Sequence, residues 1–325
     1  MLLNNYKSIK ECSVYLGPLM FLVGPNGAGK SNLLDALRLV AESLNTSLEH
    51  ALRERGGINE VRRRSSGHPT HFGVRLEWQL PDGTQGVYAF RVGAQKRGGF
   101  TIQQEECRIF DNGLLERDGS NLASVLSVMQ KGNRESFDRV VDFLSKVMPG
   151  IQGIDIKHVG RKETIEFRQF VGTNQAPWRF MAENTSDGTL RALGVLTALF
   201  QSSSKTAKKV PFVGIEKPEA AVHPSAAGVV RDGLVTAAKI TQIAVTTQSP
   251  DLLDDKDIPD ESILAVVNRN GETQIAPLDE AGRSAIRDRL YTAGELLRLN
   301  QIEPDEEAMA KIPPYQLDLF ADYKP

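Results

Sequence analysis

One octet constrains this chain more than any other feature. Gly24-Pro25-Asn26-Gly27-Ala28-Gly29-Lys30-Ser31 has the form G-x-x-x-x-G-K-[ST]. An apolar run, residues 14–23 (VYLGPLMFLV), precedes it and reads as a strand, a Gly-Pro turn and a second, buried strand. After it, Leu33, Leu34, Leu37, Val40 and Ala41 recur at helical spacing. On its own the octet is also compatible with a chance turn. Set between a strand and a helix, it reads as a loop that cradles phosphates. Glycines let the backbone wrap closely and aim N–H groups at an anion, and the following helix adds its positive end. Asn26, Gly27, Ala28, Gly29, Lys30, Ser31 and Asn32 are therefore the expected ATP-binding residues. Lys30 would reach the β- and γ-phosphates, and the Ser31 hydroxyl would bind Mg²⁺.

The rest of the pattern suits such a loop. Strands are expected at 71–80 and 86–92 across Pro81-Asp82-Gly83, and at 100–110 ending at Asp111-Asn112-Gly113. Helices follow near 121–130 and 135–148, then strands at 151–159 and 163–171, and a helix from Ser186 to about Gln201. A polar connector with Ser202, Ser203, Ser204, Lys205, Lys208 and Lys209 leads to an apolar strand, Val210 to Ile215. A helix from Pro224 to Lys239, a strand at 241–246 and a hairpin over Asn270-Gly271 complete an alternating pattern that argues for a mostly parallel sheet. The tail after Glu303 is proline-rich and expected to be loosely ordered. Its segment Tyr315–Phe320 alternates polar and apolar residues and could add to a partner's sheet edge or simply fray.

Composition removes other classes. Lys+Arg 39 against Asp+Glu 41 gives a net charge of −2, which excludes a uniformly basic nucleic-acid coat. The 40% hydrophobic content supports a core, and two cysteines, Cys12 and Cys107, cannot build a disulfide framework or a cysteine-rich zinc site. With no apolar run long enough for a membrane helix and no signal-peptide pattern, a cytoplasmic protein is expected.

Val210–Glu216 is an apolar strand ending in an acid, and a carboxylate there can hold the Mg²⁺ of a nucleotide. Ser186-Asp187-Gly188-Thr189 precedes a helix, as either an anion-binding surface or an ordinary cap. Arg53, Arg55, Arg62, Arg63 and Arg64 could grip DNA phosphates or form a solvated or intersubunit face; both readings stay open. The acidic run Asp251, Asp254, Asp255, Asp257, Asp260 and Glu261 reads as a solvated cap and loop rather than a metal-nuclease site.

GPNGAGKSN, TSDGTLR at 185–191, GIEKPEAAVHP at 214–224 and VTTQSPDLLD at 245–254 occur in that order. As a set they resemble the ABC-type ATPase heads of the RecF, SMC and overcoming-lysogenization-defect group of AAA-family P-loop ATPases, and more narrowly the small stand-alone ATPases of bacterial anti-phage defence clusters. The resemblance covers roughly 1–50 and 180–300. It implies an α/β ABC-type head: a mixed sheet with flanking helices, an antiparallel β subdomain and a helical signature lobe. The nucleotide core would comprise residues 1–50 and 205–325, and 51–204 would be inserted. It further implies that Glu216 is the metal-side acid and that Ser186 and Gly188 contact the γ-phosphate of ATP held by a second copy, giving a head-to-tail homodimer that gates a separate effector, such as a nuclease. The family's usual catalytic glutamate is replaced by Lys217, and a lysine ammonium, charged at neutral pH, cannot accept a proton. Lys217 could hold the γ-phosphate or be an exposed turn residue, and Glu219 could substitute as the water-positioning acid. Gln248 stands where the family often has a phosphate-sensing His, and it can donate a hydrogen bond but not titrate. His223 is read as a helix cap rather than a catalytic group. Hydrolysis is therefore expected to be slow. The alternatives are a RecF-like repair ATPase that binds DNA, and a transporter's ATPase subunit, whose signature TSDGT does not closely match.

Overall fold

The computed structural model describes residues 1–64, 69–79, 85–95, 99–106, 122–159, 162–170, 177–201, 211–222 and 226–310. The chain opens with a tight hairpin, β1 (Leu2–Tyr6) and β2 (Ile9–Ser13), turned over Lys7 and Ser8. β3 (Leu19–Val23) leads through the glycine loop into α1 (Lys30–Asn45), followed by α2 (Leu48–Arg53) and α3 (Ile58–Val61). Next come β4 (His71–Gln79), β5 (Gln85–Ala94) and β6 (Phe100–Glu106), then helices α4 (Leu122–Gly132) and α5 (Arg134–Val147). β7 (Ile151–Val159), β8 (Lys162–Gln169) and β9 (Trp178–Met181) precede α6 (Asp187–Phe200). The last part runs β10 (Phe212–Glu216), α7 (Ala227–Ala237), β11 (Gln242–Thr247), β12 (Ile263–Arg269) and β13 (Glu272–Pro277). It closes with α8 (Glu280–Arg287), α9 (Ala293–Arg298) and α10 (Glu306–Ala310).

The organising sheet has the order β10-β11-β3-β12-β13, parallel through its first four strands, with the β12–β13 hairpin closing the edge. β3 lies at its centre and is apolar at every position, because both of its faces are covered. Successive side chains point to opposite faces, so one strand feeds two cores. Met20 and Leu22 join α1 and the inner residues of β1, β4 and β5, while Phe21 and Val23 join α4 to α7 and the start of the β7–β8 hairpin. A second sheet, β2-β1-β4-β5-β6, is antiparallel, and a third pairs β7-β8-β9. The antiparallel sheet expected within 51–204 thus takes two of its strands from the N-terminus.

Two expectations need correction. Residues 14–18 are not a strand; the first strands lie earlier, in a hairpin whose turn carries no glycine, with Lys7 at φ 49°. The segment after Glu303 is not loose where it is described. Pro304 bridges to Leu278, the Asp305 N–H donates to the Pro277 carbonyl at 2.9 Å, and α10 follows. Helices α8 and α9 were not expected from the sequence. Pro81-Asp82-Gly83, Cys107, Asp111-Asn112-Gly113, Ser202–Lys209, His223-Pro224 and Tyr315–Phe320 lie outside the described residues.

The start of α1 is fixed by a charged cluster. Asp35 accepts from the Tyr6 hydroxyl at 2.8 Å, from Lys7 at 2.6 Å and from Arg55 at 3.1 Å, and Arg55 also pairs with Glu42. Burial alone would raise the Asp35 carboxyl pKa, but hydrogen bonds from Lys7 and Tyr6 and the charges of Lys7 and Arg55 outweigh it and hold the group below its usual range. A carboxylate whose folded pKa is depressed adds stability above its unfolded pKa, and that stability is lost as pH falls through the folded value. Asp35→Ala strips Lys7 and the buried Tyr6 hydroxyl of their partner and leaves Arg55 to Glu42 alone, and is expected to cost about 3 kcal/mol near neutral pH. Urea unfolding of both proteins should show this gap at pH 7 and a narrowing gap on acidification below about pH 4.

Candidate functional site

The parallel strands deliver their carboxyl ends to one edge. Registers Glu216↔Thr246 and Thr247↔Val23 set the ends of β10, β11 and β3 side by side. Beyond such ends an open parallel sheet leaves its ligand crevice. The glycine loop, Lys217, Glu219 and Gln248 all start from this edge.

The loop's carbonyls are tied down from within. Lys30 Nζ donates to the Gly24 and Pro25 carbonyls at 2.7 and 2.8 Å. Thr273 Oγ1, on β13, donates to the Ala28 carbonyl at 2.8 Å, which spends its one proton. Ser8 Oγ, 2.6 Å from Thr273 Oγ1, must then donate to it, and Asn32 Nδ2 donates to Ser8 Oγ at 2.6 Å. The relay Asn32, Ser8, Thr273, Ala28 thus clamps the loop between the β1–β2 turn and β13. Two glycines are required by space: a Cβ at Gly24 would lie 1.9 Å from the Val266 carbonyl oxygen, and one at Gly29, at φ +101°, 2.1 Å from Thr273 Oγ1. With the carbonyls engaged, the first-turn N–H groups of α1 at Lys30 and Ser31 have no intrahelical partner and are available to an anion. Asn26 and Gly27 are exposed at the loop tip.

Lys217 directly follows β10 in the left-handed conformation, φ 47° and ψ 60°, a strained state for a side-chain-bearing residue. Its backbone N–H donates to the Thr246 carbonyl at 2.8 Å, and its ammonium donates to Asn26 Oδ1 at 3.1 Å. It reaches the glycine loop and is not a free turn residue. Lys30 and Lys217 repel each other. Burial first, then the Lys217 charge, lower the Lys30 pKa to about 8, with Glu219 acting in the opposite direction. Glu219 Oε1 accepts from the Thr247 hydroxyl at 2.8 Å and from the Gln248 N–H at 3.3 Å. The Gln248 side chain itself is exposed.

Glu216 ends β10 with its carboxylate 3.6 Å from Arg38 Nη2. Ser31, Leu34 and Arg38 share one face of α1 at i, i+3 and i+7, the face laid over β10, where Leu34 packs against Gly214. Ser31 and Glu216 are both exposed to solvent. Ser186 caps α6, its Oγ accepting from the Thr189 N–H at 3.2 Å. It is exposed, and among the described residues no hydrogen bond joins Ser186 or Gly188 to the glycine loop.

The arginine cluster has intramolecular partners. Arg55 and Arg63 are largely buried in ion pairs with Asp35, Glu42 and Glu272; Arg64 pairs with Glu60, and Arg62 bonds to Asn59 and the Pro69 carbonyl. The acidic run is likewise matched by arginines. Asp251 and Asp254 bind Arg298, Asp255 binds Arg231 and Asp257 binds Arg289. Among the described residues no group of three metal-ligating side chains exists and no helix is long and apolar enough to cross a membrane. Sequence reasoning missed Ser8, Thr273 and Arg38, which carry no motif, and gave no role to Thr247, which lies within the quoted segment 245–254.

The family model described as "AAA domain, putative AbiEii toxin, Type IV TA system" matches residues 19–139 and 108–254. The chain belongs to this family of AAA-type P-loop ATPases. No curated protein matches the sequence. Among solved structures, an SMC head bound to the C-winged helix domain of ScpA is similar at TM-score 0.63 and 15% identity, covering 87% of this chain and 98% of that one. A Pyrococcus furiosus SMC head with an extended coiled coil, bound to the C-terminal domain of ScpA, gives 0.60 at 14% identity, with 89% and 98% covered. A Pyrococcus yayanosii SMC head with a coiled coil and joint gives 0.60 at 11%, also with 89% and 98% covered. The fold is that of an ABC-type ATPase head, a mixed α/β sheet with flanking helices and an antiparallel subdomain.

The Lys30 shift has a measurable consequence for this AAA-family chain. An incoming phosphate favours the charged ammonium, so anion binding above pH 8 must draw in a proton. Affinity for a fluorescent ATP analogue should be flat below about pH 7 and fall by up to about tenfold per unit well above the Lys30 pKa. Lys217→Met removes the repulsion, so its break should move to higher pH. An unmoved break would contradict the coupling.

Proposed function

We propose that this chain binds ATP with Mg²⁺ in the crevice at the end of β3, dimerises head to tail around it, hydrolyses it slowly and thereby gates a separate effector protein in anti-phage defence. The observation that carries this reading is the convergence of two lysines, Lys30 and Lys217, on one glycine loop, with Lys217 held to Asn26 at 3.1 Å. A second ammonium at the position of the family's usual acid suits holding a triphosphate and does not suit deprotonating water.

The residues present fit Mg²⁺. The Ser31 hydroxyl and the Glu216 carboxylate are hard oxygen donors, and Mg²⁺ is commonly held by one or two such groups together with substrate phosphates and water. When bound, the ion would neutralise phosphate charge. The chain's own groups would do the rest: loop amides and Lys30 bind the β- and γ-phosphates, and Lys217 and Gln248 hold the terminal phosphate. Ser186 and Gly188 of a second copy would close the site, a role that agrees with the exposure of Ser186 at the start of α6. The effector and the defence role rest on the family resemblance. ScpA domains are seen bound to the similar SMC heads.

Molecular size with and without ATP and Mg²⁺, paired with a phosphate-release assay, tests the reading. The expected result is an ATP-dependent doubling of mass with slow release, and at least about a tenfold faster release in Lys217→Glu. Brisk turnover by the wild type, or ATP that neither binds nor changes assembly, would refute it.

A further inference from the structure

Thr247 is fully buried at the end of β11, yet its hydroxyl is fully used. It donates to Glu219 Oε1 at 2.8 Å and accepts from the Ser249 N–H at 3.0 Å. The Gln248 N–H gives the same carboxylate oxygen a second, longer bond at 3.3 Å. The other oxygen, Glu219 Oε2, is buried and has no partner among the described residues. A buried carboxylate oxygen left unpaired is costly, and such an atom commonly marks a place for a water or ligand. Its surroundings show which. Glu219 lies on the short turn Pro218–Ala221 that directly follows Lys217, and its charge is felt by Lys30. Oε1 is thus tied to the end of β11, while Oε2, on the turn that follows Lys217, is the oxygen left for a further donor.

We infer that Thr247 is a positioning residue. Its hydroxyl, helped by the Gln248 amide, holds one oxygen of Glu219 so that the other receives a hydrogen bond from the water that attacks the terminal phosphate of ATP. This rests on the ATP-binding reading above. The water oxygen bonds to the terminal phosphorus as the bond from that phosphorus to its bridging oxygen breaks. The electron pair of that bond leaves with ADP, and one water proton passes to Glu219 Oε2 and on to solvent. The step consumes ATP and water and yields ADP, orthophosphate and a proton. Thr247 touches none of the reacting atoms. The arrangement gives this chain a water-holding acid two residues beyond the lysine that occupies the usual place.

The test uses the full chain and four variants: Thr247→Val, which keeps the shape and removes the hydroxyl; Thr247→Ser, which keeps the hydroxyl; Glu219→Gln; and Glu219→Gln combined with Thr247→Val. Phosphate release gives kcat, titration with a fluorescent ATP analogue gives affinity, and thermal melting reports folding. Thr247→Val should lower kcat about tenfold, the worth of one well-placed hydrogen bond, with affinity within about twofold of wild type. Thr247→Ser should restore kcat. The double variant should be no slower than Glu219→Gln alone, because the two residues act as one unit. The inference is overturned if Thr247→Val keeps its kcat, if the two losses multiply, or if affinity falls in step with kcat as a merely structural bond would require. If the wild type binds ATP yet releases no phosphate, the inference falls while the ATP-binding reading stands. If the wild type binds no ATP, the reading itself has failed and takes the inference with it.

Discussion

The site depends on how the glycine loop spends its carbonyls. The Gly24 and Pro25 carbonyls take the Lys30 ammonium, and the Ala28 carbonyl takes the Thr273 hydroxyl. An anion site built from backbone needs its N–H groups outward, and that requires donors on the inner side for the carbonyls. β13 supplies one of those donors and the β1–β2 turn steadies it, so a hairpin at the sheet edge and a hairpin at the N-terminus both take part in holding eight loop residues. The Tyr6, Lys7, Arg55 and Asp35 cluster then fixes the first turns of α1, which carries Lys30 and Ser31.

Electrostatics sets the character of the site. Lys30 is partly buried and repelled by Lys217, with the Glu219 carboxylate acting in the opposite direction. A lysine forced below its ordinary pKa by burial and by a like charge is a site that stores binding free energy for an anion. The left-handed Lys217 adds backbone strain at the same point, and strain of this kind persists where the surrounding structure enforces it. Fast hydrolysis would call for an acid where Lys217 stands. Lys217, which cannot take a water proton, agrees with the slow turnover proposed above.

Much of the fold was readable because its signals are local. The glycine octet, the alternation from β10 through β11 and the Asn270-Gly271 turn, with both residues at positive φ, each specify a piece of backbone without outside help. The antiparallel strands β4, β5, β7 and β8 and helices α4 to α6 were legible from periodicity. What escaped was decided by tertiary context. The β1–β2 turn over Lys7 and Ser8 carries no glycine, so nothing short-range announced the hairpin. Asp35 reads as an ordinary helix acid until Tyr6, Lys7 and Arg55 are folded around it. Thr273 and Thr247 matter only through partners 245 and 28 positions away along the chain. The arginine cluster was ambiguous for the same reason, since its carboxylate partners Asp35 and Glu272 are distant in sequence.

Hydrogen exchange of the full chain, read peptide by peptide with and without ATP and Mg²⁺, addresses the central claim most directly. The account predicts that nucleotide protects the amides of residues 24–32 at every protein concentration. It also predicts protection around 186–189 that grows as protein concentration rises, because a second copy supplies that surface. Unchanged exchange across 24–32 in saturating ATP would contradict the account.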